Sequence, residues 1–294
     1  MKFGVTPVEI SYFAEIAQTG TVADLLNFDF PSLVERAIEA GFKHVELTLD
    51  MVYVSPGSLS KDKIEKLANL AEKFGITYTA HLPLWSIEPA SPVPQVRKAS
   101  VEALVEAIRI VKELNPLYYV LHATGALASE FTRLPAPPPL KRLINEAFSD
   151  FASESVKSLI ELSKIDSRRI AVENVEFDFE YTRRIVDAND TSICFDTGHL
   201  MAGYSGDYDP LQFLEKNFDR IVELHLHDGY RRVVNGRVEI GDHLALGDGD
   251  LPVCSLLNLL QERGFDGVIV FELPLESALK SMEYIRLNCK NLDL

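Results

Sequence analysis

The stretch Ile170–Leu200, IAVENVEFDFEYTRRIVDANDTSICFDTGHL, decides the fold. It opens on a short apolar run, IAVE, that ends in a carboxylate. A helical segment over Glu180–Asp187 follows, and a second apolar run, SICFD, ends on Asp196. Strand, helix and strand in so short a span read as one βαβ unit, whose strands lie parallel.

The same alternation runs outward in both directions. Candidate strands are Phe3–Thr6, His44–Leu49, Thr77–His81, Tyr118–His122, Ile170–Glu173, Ser192–Asp196, Ile221–His225 and Val268–Glu272. Candidate helices lie between them at Pro31–Ala40, Lys61–Phe74, Val96–Leu114, Lys141–Lys164, Glu180–Asp187, Pro210–Asn217, Val253–Arg263 and Leu275–Asn288. Gly41, Gly75 and Gly264 stand where helices need a left-handed stop, and Pro31 suits a first turn. Eight such units in 294 residues predict a closed (β/α)₈ barrel, read as a single domain over residues 1–294. A doubly wound open sheet is the rival, but no glycine-rich phosphate turn follows Thr6. Two stretches read as long loops, Pro83–Gln95 and Ala123–Leu140. They are either lids over a site or surface ornament.

Composition bounds the function. Hydrophobic residues make up 47% of the chain, enough for a large core, and the formal charge is −15. That charge disfavours nucleic acid as a partner. No apolar run reaches membrane-spanning length, and the N-terminus does not read as a signal peptide. The three cysteines, Cys194, Cys254 and Cys289, are odd in number and widely spaced. They predict no disulfide framework and a reducing, cytoplasmic setting.

The polar residues lie where a barrel places its chemistry. Side chains at C-terminal strand ends project into the catalytic mouth. There stand His81 (TAHLPLW), His122 (YVLHATG), Glu173, Asp196, His225 (ELHLHDG) and Glu272 (VIVFELP), with His199 three residues past Asp196 and His243 in GDHLALGDGD. Imidazoles and carboxylates in one buried layer are costly unless paired or coordinated, so the set predicts a divalent-metal site. Such mixed ligands suit zinc or manganese, with iron and cobalt also compatible.

SICFDTGHLMAGYSG, HLHDG and FELP, in that order at successive strand ends, resemble the xylose-isomerase-like barrels. They are most similar to the branch containing endonuclease IV, the apurinic endonuclease family 2. The resemblance implies a metal cluster. His81, His122 and Glu173 would hold one ion. Glu173 would bridge to a second held by Asp196, His225 and Glu272, and His199 and His243 would hold a third. The family has an Asp two residues before that last His. Here the position is Gly241 and the acid is Asp242. Asp228 is expected to orient ligands rather than bind metal.

Softer candidates are Asn174, Trp85, Arg231 and Arg232 for substrate contact, the two arginines as a phosphate grip. Glu46 reads equally as a mouth or a rim residue. His44 reads as structural. His227 is expected to turn away from the barrel centre. Two reactions compete, with Glu173 and Glu272 catalytic in both. The favoured one is hydrolysis of a small phosphoester at two or three metals. The other is isomerisation or epimerisation of a sugar at one metal, the two glutamates trading protons. An apurinic DNA endonuclease and a non-catalytic metal-binding barrel are weaker alternatives.

Overall fold

The computed structural model describes residues 1–7, 21, 28–175, 177–290 and 292. Eight parallel strands close a barrel: β1 (Lys2–Val5), β2 (His44–Thr48), β3 (Thr77–His81), β4 (Tyr119–Leu121), β5 (Ile170–Glu173), β6 (Ser192–Asp196), β7 (Ile221–His225) and β10 (Val268–Phe271), which returns to β1. Each pairs with its sequence neighbour in the barrel, and β10 bridges β7 and β1. The (β/α)₈ reading is therefore correct. His122 and Glu272 lie one residue beyond their strands.

Helices surround the barrel: α1 (Phe30–Glu39), the short α2 (Met51–Val54), α3 (Lys61–Phe74), α4 (Pro94–Val111), α5 (Ala126–Arg133), α6 (Pro138–Ser163), α7 (Phe179–Asn189), α8 (Thr197–Met201), α9 (Pro210–Asn217), α10 (Val253–Glu262) and α11 (Leu275–Asn288). Leu67 and Leu70 of α3, Leu104 and Ile108 of α4 and Leu256 and Leu260 of α10 are buried at helical spacing. Gly75 ends α3 in the left-handed conformation at φ 66°. The stretch Ala123–Leu140 is mostly not loop. It holds α5, and α6 starts three residues before the expected Lys141, with Pro138 in its first turn.

The barrel interior is unusually polar. Thr79 on β3 donates to Glu223 on β7 at 2.8 Å, a contact between non-neighbouring strands that crosses the interior. Glu46 joins the layer by accepting from Thr6 at 3.2 Å. His44 is structural, as expected: its ring meets Thr77 and Thr79, and burial together with Lys2 lowers its pKa to about 3.

Two further features depart from the sequence reading. One is an antiparallel hairpin after β7, made of β8 (Asp228–Val234) and β9 (Arg237–Leu244). The other is a disulfide between Cys254 at the start of α10 and Cys289 at the end of α11. The odd cysteine is Cys194, buried in β6. The bridge removes the argument for a reducing compartment. No helix among the described residues is long and apolar enough to cross a membrane.

The disulfide closes a loop with a sequence separation of 35. By the chain-entropy relation, opening such a loop costs about 4 kcal/mol. Cys254→Ser should therefore lower unfolding stability by about 2–4 kcal/mol, read by denaturant titration at unchanged circular dichroism. Equal stability of the variant and the oxidised parent would refute this.

Candidate metal centre

The strand ends deliver their ligands to one mouth. Asp196 ends β6 and caps α8, its Oδ1 accepting the His199 backbone N–H at 2.6 Å. That bond leaves Oδ2 for the site. Around it lie His225 Nδ1, 3.7 Å from Asp196 Oδ2, 3.3 Å from Glu272 Oε2 and 3.6 Å from Glu173 Oε1. His199 Nδ1 is 3.2 Å from Glu173 Oε1 and 3.7 Å from Asp196 Oδ2.

Glu173 Oε1, His199 Nδ1 and His225 Nδ1 are buried without a hydrogen-bond partner. Orphaned polar atoms in a dry interior are costly, and three converging on one point fit a cation. A mixed imidazole and carboxylate donor set suits a divalent cation. On the far side of its ring, His225 Nε2 lies 3.2 Å from Glu46, which is itself fully buried. A carboxylate behind an imidazole fixes the ring and raises its basicity. Glu46 thus belongs beneath the mouth and not on the rim.

A second group shares Glu173. His81 Nδ1 lies 3.0 Å from the Leu82 carbonyl, so it is the nitrogen that carries the proton and donates. In the neutral ring Nε2 then holds a lone pair, and it faces Glu173 Oε2 at 3.3 Å. Two lone pairs at that distance need a cation between them, either a proton or a metal. His122 Nε2 approaches the same oxygen at 3.0 Å. Glu173 therefore offers one oxygen to each group.

Without metal, protons fill this role. Burial alone would lower His81, but its bond to Glu173 and the charges of Glu46, Glu173 and Glu272 raise it to about 9. Burial likewise opposes the charge of Glu173, yet His122 and His225 hold it well below the usual carboxylate range.

The hairpin supplies the third group and explains Gly241. A Cβ at position 241 would lie 2.4 Å from the Tyr230 ring, so an acid there would require that ring to move. Asp228 pairs with Leu244 while Tyr230 pairs with Gly241, which leaves one extra residue on β9, a bulge. The bulge turns Asp242 inward, to 3.7 Å from His199 Nε2 and 3.2 Å from His243 Nδ1. His243, at φ 50°, also reaches Glu272 at 3.5 Å. Asp228 binds no ligand. It accepts the backbone N–H groups of Gly229, Gly247 and Leu251, and so shapes the loop after β9.

His227 corrects the sequence reading. It is fully buried and points into the centre, because residues two apart on an extended chain share a face. Its Nδ1 accepts the backbone N–H of His243 at 3.1 Å. Nε2 therefore carries the proton and donates to Asp196 Oδ2 at 2.8 Å. Gly198 makes room for it, since a Cβ there would lie 2.2 Å from His227 Nδ1. His227→Ala should weaken metal affinity about 10–100-fold by freeing Asp196 and the hairpin. Metal-buffer titration at unchanged circular dichroism measures this, and unaltered affinity would refute it.

The other candidates divide. Asn174 is spent on backbone: it donates to the Asp196 carbonyl at 2.9 Å and accepts the Asp196 N–H at 2.8 Å. Arg232 pairs bidentately with Asp250 on the surface. Arg231 lies over Gly203 and lines a separate cleft with Asp207 and Asp209. Neither arginine reaches the mouth. Trp85 does. With Leu84, His122, Ala126, Val175 and His199 it lines a cavity of about 480 Å³ opening onto the metal ligands. Among the described residues, no lysine or arginine lines that cavity.

Comparison with known proteins agrees with the fold. An uncharacterized protein of Methanocaldococcus jannaschii is 26% identical over 270 residues, covering 87% of this chain and 83% of the relative. A D-tagatose 3-epimerase-like protein superposes with a TM-score of 0.70 at 25% identity, over 98% of this chain and 96% of that one. Endonuclease IV from Thermus thermophilus shares the fold at a TM-score of 0.64 and 19% identity, over 98% of both chains. The family model for the xylose isomerase-like TIM barrel matches residues 34–288, and the chain belongs to that family.

Proposed function

We propose that this protein is a metal-dependent enzyme that acts on an uncharged sugar, moving a proton at the carbon beside a carbonyl as an isomerase or epimerase does. The observation that carries this reading is the cavity over the ligands. Its described lining combines Trp85, Leu84, Val175, small residues and hydroxyls with the candidate ligands His122 and His199, and no lysine or arginine lies there to meet a phosphate. The resemblance to a D-tagatose 3-epimerase-like protein supports it.

Glu173, Asp196, His225 and Glu272 would hold the principal ion, and His81 and His122 with Glu173 a second. A bound metal supplies polarisation of the substrate oxygen and stabilises developing negative charge. The remaining work belongs to the chain. Glu272 is 26% exposed and ionised, held low by His225 and His243 against the cost of burial. It is the more exposed of the two glutamates, and its carboxylate would take the proton. Glu173 is 1% exposed with both oxygens facing histidines, and it holds the centre together. Trp85 offers a flat apolar wall for a sugar ring.

Hydrolysis of a phosphoester is the second reading. It is favoured by one feature, the placement of the Glu173 oxygens in two adjacent histidine groups, as a bridged metal pair requires. The test is a panel of free ketoses in deuterated buffer beside a chromogenic phosphodiester, with the metal-loaded chain. Deuterium entering a carbon next to the carbonyl is expected. Phosphodiester turnover without deuterium uptake would replace the first reading with the second.

A further inference from the structure

Together with Ser86, Trp85 lines both the 480 Å³ cavity and a second cavity of about 440 Å³. The second cavity is completed by Asp50, Tyr53, Val54, Ile87 and Ala103. Its two aromatic walls come from neighbouring barrel loops. Tyr53 sits on α2 after β2, and Trp85 sits in the loop after β3.

Both rings are unusually open for their size, Trp85 at 54% and Tyr53 at 47% exposure. Tyr53 is nonetheless held at its hydroxyl, and Trp85 at its backbone. Tyr53 donates its hydroxyl to the Ala103 carbonyl at 2.7 Å. Asp50 Oδ1 accepts the backbone N–H groups of Leu84 and Trp85 at 3.0 and 2.8 Å. Ser86 holds a left-handed backbone, φ 62°, immediately after the tryptophan. Asp50 is 2% exposed, and its Oδ2 has no hydrogen-bond partner. Among the described residues, no lysine or arginine lines this cavity either.

From these observations, and resting on the sugar reading of the metal centre, we infer that the substrate carries two rings, as a disaccharide or other glycoside. One ring occupies the cavity over the metal ligands, and the second lies between Trp85 and Tyr53. Flat aromatic walls match the apolar faces of pyranose rings and contribute most of their energy through burial. The partnerless Asp50 oxygen offers an acceptor that sugar hydroxyls satisfy as donors. Two cavities sharing one wall suit a substrate with one linkage between its rings. A single ring over the metal ligands would leave Tyr53 and the second cavity unused.

Trp85 is the sole tryptophan in the chain, so intrinsic emission reports directly on the shared wall. The metal-loaded protein is titrated with glucose and galactose, and in parallel with maltose, cellobiose and lactose. At least one disaccharide should shift Trp85 emission at about 10-fold lower concentration than its component monosaccharides, a difference of about 1.4 kcal/mol. Tyr53→Ala should remove that advantage by weakening disaccharide binding. Tyr53→Phe, which keeps the ring, should retain the advantage. Monosaccharides that titrate as well as disaccharides, or a Tyr53→Ala variant that keeps the gap, would overturn the second ring while leaving the sugar reading intact. If no sugar of either size shifts the emission, the inference and the sugar reading fall together.

Discussion

Glu173→Gln should abolish turnover, by at least about 1000-fold or some 4 kcal/mol of transition-state stabilisation. It should also remove at least one ion per chain. The substitution keeps the shape of the side chain, so no cavity forms. What changes is charge and donor pattern. One oxygen becomes an NH₂ group, which cannot ligate metal and must face either the His81 and His122 pair or the His199 and His225 pair. The amide is neutral either way, so both groups lose their shared anion, and one of them also loses its acceptor oxygen. In either orientation His81 loses the Glu173 charge that helps to raise its pKa. Elemental analysis of parent and variant, purified without chelator, gives the ion count, and circular dichroism checks the fold. A variant that kept its full metal content would show that Glu173 is not the bridge.

The parts of this site legible in sequence were those fixed by strand geometry. A carboxylate or imidazole at the C-terminal end of a parallel barrel strand has one place to go, so His81, Glu173, Asp196 and His225 were readable from position alone. Asp242 needed tertiary information, because its inward turn depends on a bulge opposite Tyr230. The hairpin carrying it left a usable signal. Asn235 and Gly236 both have positive φ, 52° and 77°, between runs that pair as β8 and β9, and Asn-Gly is the favoured two-residue hairpin turn. His227 was also within reach, since its spacing of two from His225 repeats the same face. Glu46 was ambiguous because only the fold reveals His225 behind it. The disulfide was out of reach. Its pairing is set by the meeting of α10 and α11, and cysteine parity says nothing about that.

The metal-free chain should lose stability as pH rises from about 6.5 toward 10, while the metal-loaded chain should not. Burial would lower the histidines of the centre, yet carboxylate contacts outweigh it. His81 stands at about 9. His199 is raised to about 10 by Asp196 and Glu173, and His243 to about 11 by Asp242 and Glu272. Each folded value lies above the unfolded value of about 6.5, so these protons stabilise the fold fully below that pH. The contribution is lost as pH climbs through 9 to 11, and the half-exposed His243 contributes least because solvent screens it. Glu173, Asp196 and Glu272 are shifted downward, so their contribution is present above about pH 4.5 and is lost on acidification. The metal-free protein should therefore be most stable at about pH 5–6.5. Bound metal takes the place of the protons, and binding at pH 8 must release them. At a free metal concentration 100 times Kd, the stabilisation is about 2.7 kcal/mol. Thermal unfolding with and without chelator should show a Tm gap that widens between pH 6.5 and 9. Calorimetry in buffers of different ionisation enthalpy should count more than one proton released per chain. A gap that stayed constant with pH, or binding without proton release, would mean that the imidazoles do not exchange protons for metal.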